Sequence, residues 1–415
     1  MKRTDVIVIG GGQAGLAMSR HLSQRGIDHV VFERRRLAER WRSERWDSLR
    51  LLTPNWFSRL PDWRYRGDDP DGFMTMPEVV RYFEDYARAT SAPVEIDTEV
   101  RSVEIFDGGY RVITDKDTWF TRGVVIATGD NNTPRVPEMA ISMSPSIHQI
   151  VPSAYRNPGQ LPEGGVLVVG ASASGVQLAD EIHTSGRPVT LAVGKHTRLP
   201  RFYRGRDIVW WMDRTGILDE TTGQARDLER SRREPSMQLV GSPDGHSIDL
   251  ARLAGEGVRI VGRAHEGEGG RIHFAGDLLE TTSAARDKFA RMKNRIDDFA
   301  TDHGMDREDG GTEAIAPVIF DSPEQTIDLK AEGISTILWA TGFTRRYPWL
   351  KVPVIDPRAG ILHRDGVTAA PGLCVLGLQF MRRRKSTFID GVGDDAAYLA
   401  DHMLDHLDAR HAVAA

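Results

Sequence analysis

VIVIGGGQAGLAMSRHLSQRGIDHVVFER, residues 6–34, returns 160 residues later as VLVVGASASGVQLADEIHTSGRPVTLAVG, residues 166–194. Gly10 aligns with Gly170, Gly15 with Gly175, Gly26 with Gly186, and Leu22 with Ile182. Each copy runs from a continuous apolar strand through a glycine turn into an amphipathic helix. A glycine stop and a second apolar strand follow. This is a βαβ unit carrying the dinucleotide fingerprint. The first glycine makes the tight turn, the second lets the backbone approach a pyrophosphate, and the third lets helix pack on strand. The helix start offers free N–H groups and positive partial charge to phosphate. Gly10, Gly12, Gln13, Ala14 and Gly15 are the candidates in the first copy, and Gly170, Ser172, Ser174 and Gly175 in the second. Ser172 replaces the middle glycine, and its small hydroxyl can still lie against a phosphate. Neither copy is a P-loop, because no GK[ST] follows, and GASAS at 170–174 fails the nucleophile elbow at its last position.

The ends of the second strands separate the two sites. Glu33 stands 18 residues after Gly15, where a carboxylate accepts from ribose hydroxyls and rejects a 2′-phosphate. Arg34 beside it is a further cofactor-binding candidate. The equivalent position in the second copy is Val193, followed by Lys195, His196, Arg198, Arg201, Arg204 and Arg206, with no acid before Asp207. Cations without a carboxylate suit the 2′-phosphate of NADP. Lys195, His196, Arg198 and Arg201 are the candidates, with a solvated basic loop as the alternative. Two unlike sites in one chain imply FAD plus NADPH, the nicotinamide delivering hydride to the flavin.

Composition narrows the rest. The chain has 415 residues, enough for two or three domains. Lys and Arg total 54 against 59 Asp and Glu, a net charge of −5, so no basic excess calls for nucleic acid or an anionic membrane. The lone Cys374 excludes an internal disulfide, a CxxC redox pair and a cysteine-based zinc site. No metal site is expected. No apolar run approaches the ~20 residues of a membrane span. Lys2-Arg3 and four apolar residues imitate a signal peptide but stop short of an h-region of ~7–15 residues. A cytoplasmic protein is expected.

Residues 37–63 hold Trp41, Trp46, Trp56 and Trp63, four of the nine tryptophans. They read either as a wall of rings near a flavin or substrate, or as a hydrophobic cap over the first helix. Pro77, with Val79, Val80, Phe83 and Ala87 on one face, predicts a helix over 76–90. A β-meander over 94–126 leads into Ala127-Thr128-Gly129. The polar segment 220–247 reads as a mobile insertion or lid. Ala285, Phe289, Met292, Ile296 and Phe299 form a seam on a long helix over 279–303, which either packs on its own domain or makes a homodimer contact. A strand at 336–340 gives a second ATG, Ala340-Thr341-Gly342. Another, at 373–377, leads through Arg382-Arg383-Arg384-Lys385 to a final helix over about 394–407. That basic quartet suits a flavin pyrophosphate, an acidic substrate or a surface turn. Asp390, just ahead of the helix, is a cofactor-binding candidate.

With GGGQAG at 10–15, Glu33, Trp41, ATGDNNTP at 127–134, GASASG at 170–175 and the second ATG in that order, the chain resembles the class B flavin-dependent monooxygenases. That family includes the flavin-containing monooxygenases and the plant indole-pyruvate monooxygenases. The resemblance covers nearly the whole chain. It departs at the FxGxxxHxxxY linker: Ser142 and Ser144 replace the phenylalanine and glycine before His148, and Tyr155 comes seven residues after it.

The resemblance implies an α/β fold with two Rossmann-like domains. The FAD domain is split over 1–157 and 326–415, with the late ATG strand and the last helix returning to it. The NADPH domain with a helical insertion lies at 158–325. It implies Asn55 and Asn131 as catalytic candidates near the flavin. It also implies a monooxygenase that moves one oxygen atom from O2, through a C4a-hydroperoxyflavin, to a small organic substrate. The alternatives are an NADPH-dependent reductase serving a quinone, a protein or a small acceptor, and a non-enzymatic flavin-binding sensor.

Overall fold

The computed structural model describes residues 1–130, 133–305 and 325–414. Two parallel-cored sheets organise it. The first copy builds β1 (Lys2–Ile9), α1 (Gln13–Gln24) and β2 (His29–Phe32). α2 (Met76–Ala89) follows, opened by a Thr75–Glu78 capping box with Pro77 in the first turn. β3 (Val94–Glu95), β4 (Val100–Phe106), β5 (Gly109–Thr114) and β6 (Thr118–Ile126) come next. The sheet order is β3-β2-β1-β6-β5-β4. β4 to β6 form the expected antiparallel meander, while β1 runs parallel to both β2 and β6. Val6–Ile9 and Val124–Ile126 are buried, as strands covered on both faces require.

After the short strand β7 (Thr133–Pro134) the chain enters the second sheet. This sheet contains β8 (His148–Ile150), β9 (Gly165–Val169), β10 (Val189–Ala192) and β11 (Arg259–Val261), with α3 (Ala173–Thr184) following β9. The long helix α4 (Leu278–Asp302) comes before β12 (Ile334–Trp339), and the sheet order is β8-β12-β9-β10-β11, all parallel. Ala285, Ile296 and Ala300 of α4 are buried. Ile296 and Ala300 pack in a cluster with Tyr203, Ile208 and Trp211, so the seam packs within its own chain.

The domain boundaries expected from the sequence are corrected at two places. His148–Ile150 lies in the second sheet, because β8 pairs with β12. Ile334–Trp339 lies there too, hydrogen-bonded to β9, so the second ATG backs the second fingerprint instead of returning to the first domain. The true crossings are β7 and β13 (Phe343–Thr344), which pair antiparallel as a two-stranded bridge. After β13 the chain returns to the first sheet: Leu350 bridges Val103 of β4, β14 (Leu373–Val375) runs parallel to β6, and α5 (Val392–Ala414) packs on α1. Position along the chain suggested the earlier boundaries. Hydrogen-bond partners, which single-sequence patterning does not contain, decide them.

The tryptophans do not form one wall. Trp41 and Trp63 pack on the first core and Trp46 lies in the second. Trp56 joins a third cluster, around Trp211 and Tyr203. Among the described residues no helix is long and apolar enough to cross a membrane.

Candidate functional site

Each fingerprint is folded against its own ATG by the same contact. Gly10 has φ +115°, and a Cβ there would stand 2.5 Å from the Ala127 carbonyl oxygen. Gly170 has φ +109°, and a Cβ there would stand 2.4 Å from the Ala340 carbonyl oxygen. Only glycine fits either place. Gly15 and Gly175 repeat the pattern one turn on, where a Cβ would come within 1.8 Å of the Gly10 and Gly170 carbonyl oxygens. Gly129 and Gly342 close the two ATG turns with φ +80° and +87°, and an arginine approaches each, Arg40 the first and Arg135 the second. Arg135 also donates to the Thr341 carbonyl at 2.7 Å.

The first cradle is open. A Cβ at Gly12 would meet nothing within 4 Å, and no side chain caps α1. Gln13 and Ala14 occupy its first turn, and Gln13 donates to the Thr387 carbonyl at 2.8 Å. Glu33 accepts from the Gly11 N–H at 2.9 Å and the Arg35 N–H at 3.1 Å, which aims its carboxylate along the strand ends and leaves lone pairs for hydroxyl donors. Among the described residues the buried Thr128 hydroxyl oxygen has no hydrogen-bond partner. An open glycine seat, an oriented carboxylate and an unpartnered buried hydroxyl together suit an adenosine pyrophosphate. Gly377, φ +80°, brings the turn after β14 close to Ala14. Trp41 is half-buried against Phe83. Arg34 is exposed and pairs with Glu44 at 3.4 Å.

The second cradle is covered. Ser172 is the N-cap of α3 but makes no side-chain cap bond. The Ser236 hydroxyl accepts from the Ala173 N–H at 3.3 Å, where a phosphate oxygen would accept. Gln238 donates to the Ala171 carbonyl at 2.7 Å, and Gln177 donates to the Leu239 carbonyl at 2.8 Å. Residues 236–239 therefore rest on this helix start. Ser236 is exposed, so its long bond is easily exchanged for an anion. Ser174 is half-buried in the same turn.

The basic run after β10 divides. Lys195 is exposed at the strand end. His196 is buried, its Nδ1 bonded to the Gly194 carbonyl, and burial lowers its pKa. Arg198 is buried and paired with Asp249 at 2.5 Å. Arg201 is fully buried, bonded to Asp207 and to the Leu52 carbonyl at 2.7 Å, with its guanidinium over the Phe73 ring. It pins the two domains together, and burial raises the pKa of Asp207. The cation that joins Lys195 is one the sequence reading missed. Arg263, just past β11, lies 3.7 Å from the position of a Gly194 Cβ and keeps an exposed side chain paired with Asp277. Its only sequence signal is an arginine two residues beyond an apolar strand.

Hydrogen bonds and ion pairs already engage several of the other candidates. Asn55 is buried, with Nδ2 donating to the Asp69 carbonyl at 2.9 Å and Oδ1 accepting from the Met74 N–H at 2.7 Å, so both ends of its amide hold the 55–74 loop. Asn131 lies outside the described residues. Asp390 pairs with Arg59 and, at 2.9 Å, with Lys385. Each member of the basic quartet has an acidic partner. Arg382 meets Asp395 and Arg383 meets Asp394. Arg384 meets Glu220 and Glu234, and Lys385 meets Asp219 and Asp390. Three of those acids belong to the 219–234 segment, so the expected mobile insertion is strapped to the first domain. Tyr155 is a core residue bonded to Glu181 at 3.0 Å, and His148 is exposed on β8. Burial pushes the Cys374 thiol up to about 12.

Comparisons with known proteins agree with this geometry. Residues 7–203 match the family model of pyridine nucleotide-disulphide oxidoreductases. An uncharacterized CzcO-like oxidoreductase of Geobacillus kaustophilus is 34% identical over 405 residues, covering 97% of this chain and 99% of its own. The chain belongs to the CzcO-like oxidoreductases. The indole-3-pyruvate monooxygenase YUCCA6 of Arabidopsis thaliana is 31% identical across 46% of this chain and 48% of its own. A flavin-containing monooxygenase from Stenotrophomonas maltophilia superposes with a TM-score of 0.69 at 19% identity, covering 98% of this chain and all of its own. The resemblance to the flavin-dependent monooxygenases is thereby borne out, and the chain is an oxidoreductase of the CzcO-like family.

Proposed function

We propose that this CzcO-like oxidoreductase is an FAD- and NADPH-dependent monooxygenase that transfers one oxygen atom from O2 to a small organic substrate. The observation that carries the reading is the pair of cradles with opposite chemistry at their strand ends, Glu33 at one and Lys195 with Arg263 at the other. FAD fits the first. The Glu33 carboxylate would accept from the ribose, the start of α1 with Gly12, Gln13 and Ala14 would hold the pyrophosphate, and the Thr128 hydroxyl would gain a partner. NADPH fits the second, where the Ala173 N–H would hold its pyrophosphate in place of Ser236 and Lys195 and Arg263 would hold its 2′-phosphate. Ser172 stays small enough to admit it. Bound together, the two cofactors supply hydride and the electrons that activate O2.

The chain's own part is to bind, orient and exclude water. The β7–β13 bridge and the Arg201 pin set the spacing of the cradles. The acid–base pairs between 219–234 and 383–385 close the seam between domains, which limits loss of activated oxygen to water. With a lone buried Cys374, no dithiol within the chain diverts electrons to a disulfide. The test is stopped-flow absorbance: anaerobic reduction by NADPH, then mixing with oxygenated buffer. A band distinct from oxidised and reduced flavin that persists before reoxidation is expected. Immediate reoxidation with stoichiometric hydrogen peroxide, whatever substrate is added, would move the protein to the reductase reading.

A further inference from the structure

A cavity of about 500 Å³ lies between the 221–232 segment and the turns at 363–365 and 382–383. No fingerprint or ATG residue lines it. Its wall carries Arg232, Arg364, Arg382 and Arg383 against one acid, Asp365, in a chain whose net charge is −5. We propose that this cavity binds the carboxylate or phosphate group of a small molecule.

The arginines divide into oriented and available donors. Arg382 is held by Asp395 and by stacking over the Tyr398 ring, and Arg383 by Asp394 and Asp219, acids that do not line the cavity. These partners fix the planes of the two guanidiniums from behind, as bidentate anion recognition requires. Arg232 donates to the Phe380 carbonyl at 3.3 Å and, among the described residues, has only the exposed Glu229 at 4.0 Å as an ionic partner. Among the described residues no acid pairs with Arg364. Asp365 accepts from the Thr222 hydroxyl at 3.3 Å.

His363 supplies a neutral donor. Its Nδ1 accepts from the Gly366 N–H at 3.2 Å, so the neutral ring carries its proton on Nε2. Burial first, then Arg232 and Arg345, lowers its pKa to about 4. An anion in the cavity would offset those guanidinium charges. The place also suits a ligand. The Val375 N–H donates to the Gly366 carbonyl at 2.8 Å, which sets the 363–366 turn at the carboxyl end of β14, the edge of the first sheet that carries the first cradle.

The inference stands independently of the oxygenation chemistry, because its test is a binding equilibrium. The full chain, with FAD and NADP⁺ in excess to occupy the cradles, is titrated calorimetrically with inorganic phosphate and, separately, with benzoate. Saturable binding of either anion is expected. Phosphate alone would mark a phosphate ligand and benzoate alone a carboxylate. Arg232→Gln and Arg364→Gln should each weaken that binding about tenfold or more, as loss of a charge-assisted hydrogen bond does. Arg226→Gln, on the exposed face of the same segment, should leave it unchanged. In the unsubstituted protein the His363 ring, followed by NMR, should titrate at higher pH when the anion is bound. The proposal is overturned if neither anion binds, if both cavity variants bind as tightly as the parent, or if the His363 titration does not move.

Discussion

The two cradles share one backbone design and differ in what stands over it. Both use a glycine against a neighbouring ATG carbonyl and a second glycine against the first. The first cradle is open and ends at a carboxylate held by two backbone N–H groups. The second is covered by residues 236–239 and ends among cations, of which only Lys195 and Arg263 keep exposed side chains beside Gly194. The difference teaches that the shared glycines set where a pyrophosphate can lie. The side chains around them set which dinucleotide comes and how readily. A 3.3 Å bond to an exposed serine hydroxyl is a weak cover, so the second site suits a ligand that arrives and leaves, and the first suits one that stays.

The harshest way to break the comparison is at its shared element. Gly15→Val should drive a branched side chain into the Gly10 carbonyl and abolish flavin retention together with cooperative folding of the first domain. Gly175→Val should abolish NADPH reduction while bound flavin remains. Absorbance of the purified proteins and their melting curves check both, and equal damage from the two would show that the cradles do not act separately. Next in size, Glu33→Arg places a cation where the ribose needs an acceptor, and the purified variant should carry no flavin. A stoichiometrically flavinated Glu33→Arg protein would end that assignment.

A smaller effect separates the cations. Lys195→Ala with Arg263→Ala should weaken NADPH by about 2 kcal/mol, or about thirtyfold, with little change for NADH. Arg198→Ala should leave the preference between the nucleotides intact and lower stability instead, because Asp249 loses its buried partner. Nucleotide titrations by flavin reduction rate distinguish the two outcomes. The smallest change sharpens the contrast in cover. Ser236→Ala removes the hydroxyl over Ala173 and should tighten NADPH by about twofold, since so long a bond is worth less than the ~1 kcal/mol of a well-made one. Weaker NADPH binding would mean that Ser236 belongs to the ligand's own contacts.

The internal repeat by itself determined that there are two βαβ dinucleotide units, that both need glycine at their turns, and that Glu33 sets the first apart from the second. These are local facts: strand-length apolar runs, close backbone approach and helix termini are written within some thirty residues. The single cysteine likewise fixed what electron acceptor the chain lacks. Tertiary structure alone decided the rest. Ile334–Trp339 could pair with either sheet, and its hydrogen bonds to β9 gave the second ATG to the second cradle. Arg201 and Arg198 look like Lys195 in the sequence, yet burial commits them to Asp207 and Asp249. Arg263 and Ser236 reach the second cradle from about 70 and 60 residues beyond Lys195 and Ala173, with no local signal. Asn55, Arg384 and Lys385 have the right residue types for chemistry, but carbonyls, an N–H and acids, several of them distant in sequence, already engage them. Residue type and spacing record what a side chain can do. Which partner desolvates or neutralises it depends on contacts between distant segments, and those exist only once the chain has packed.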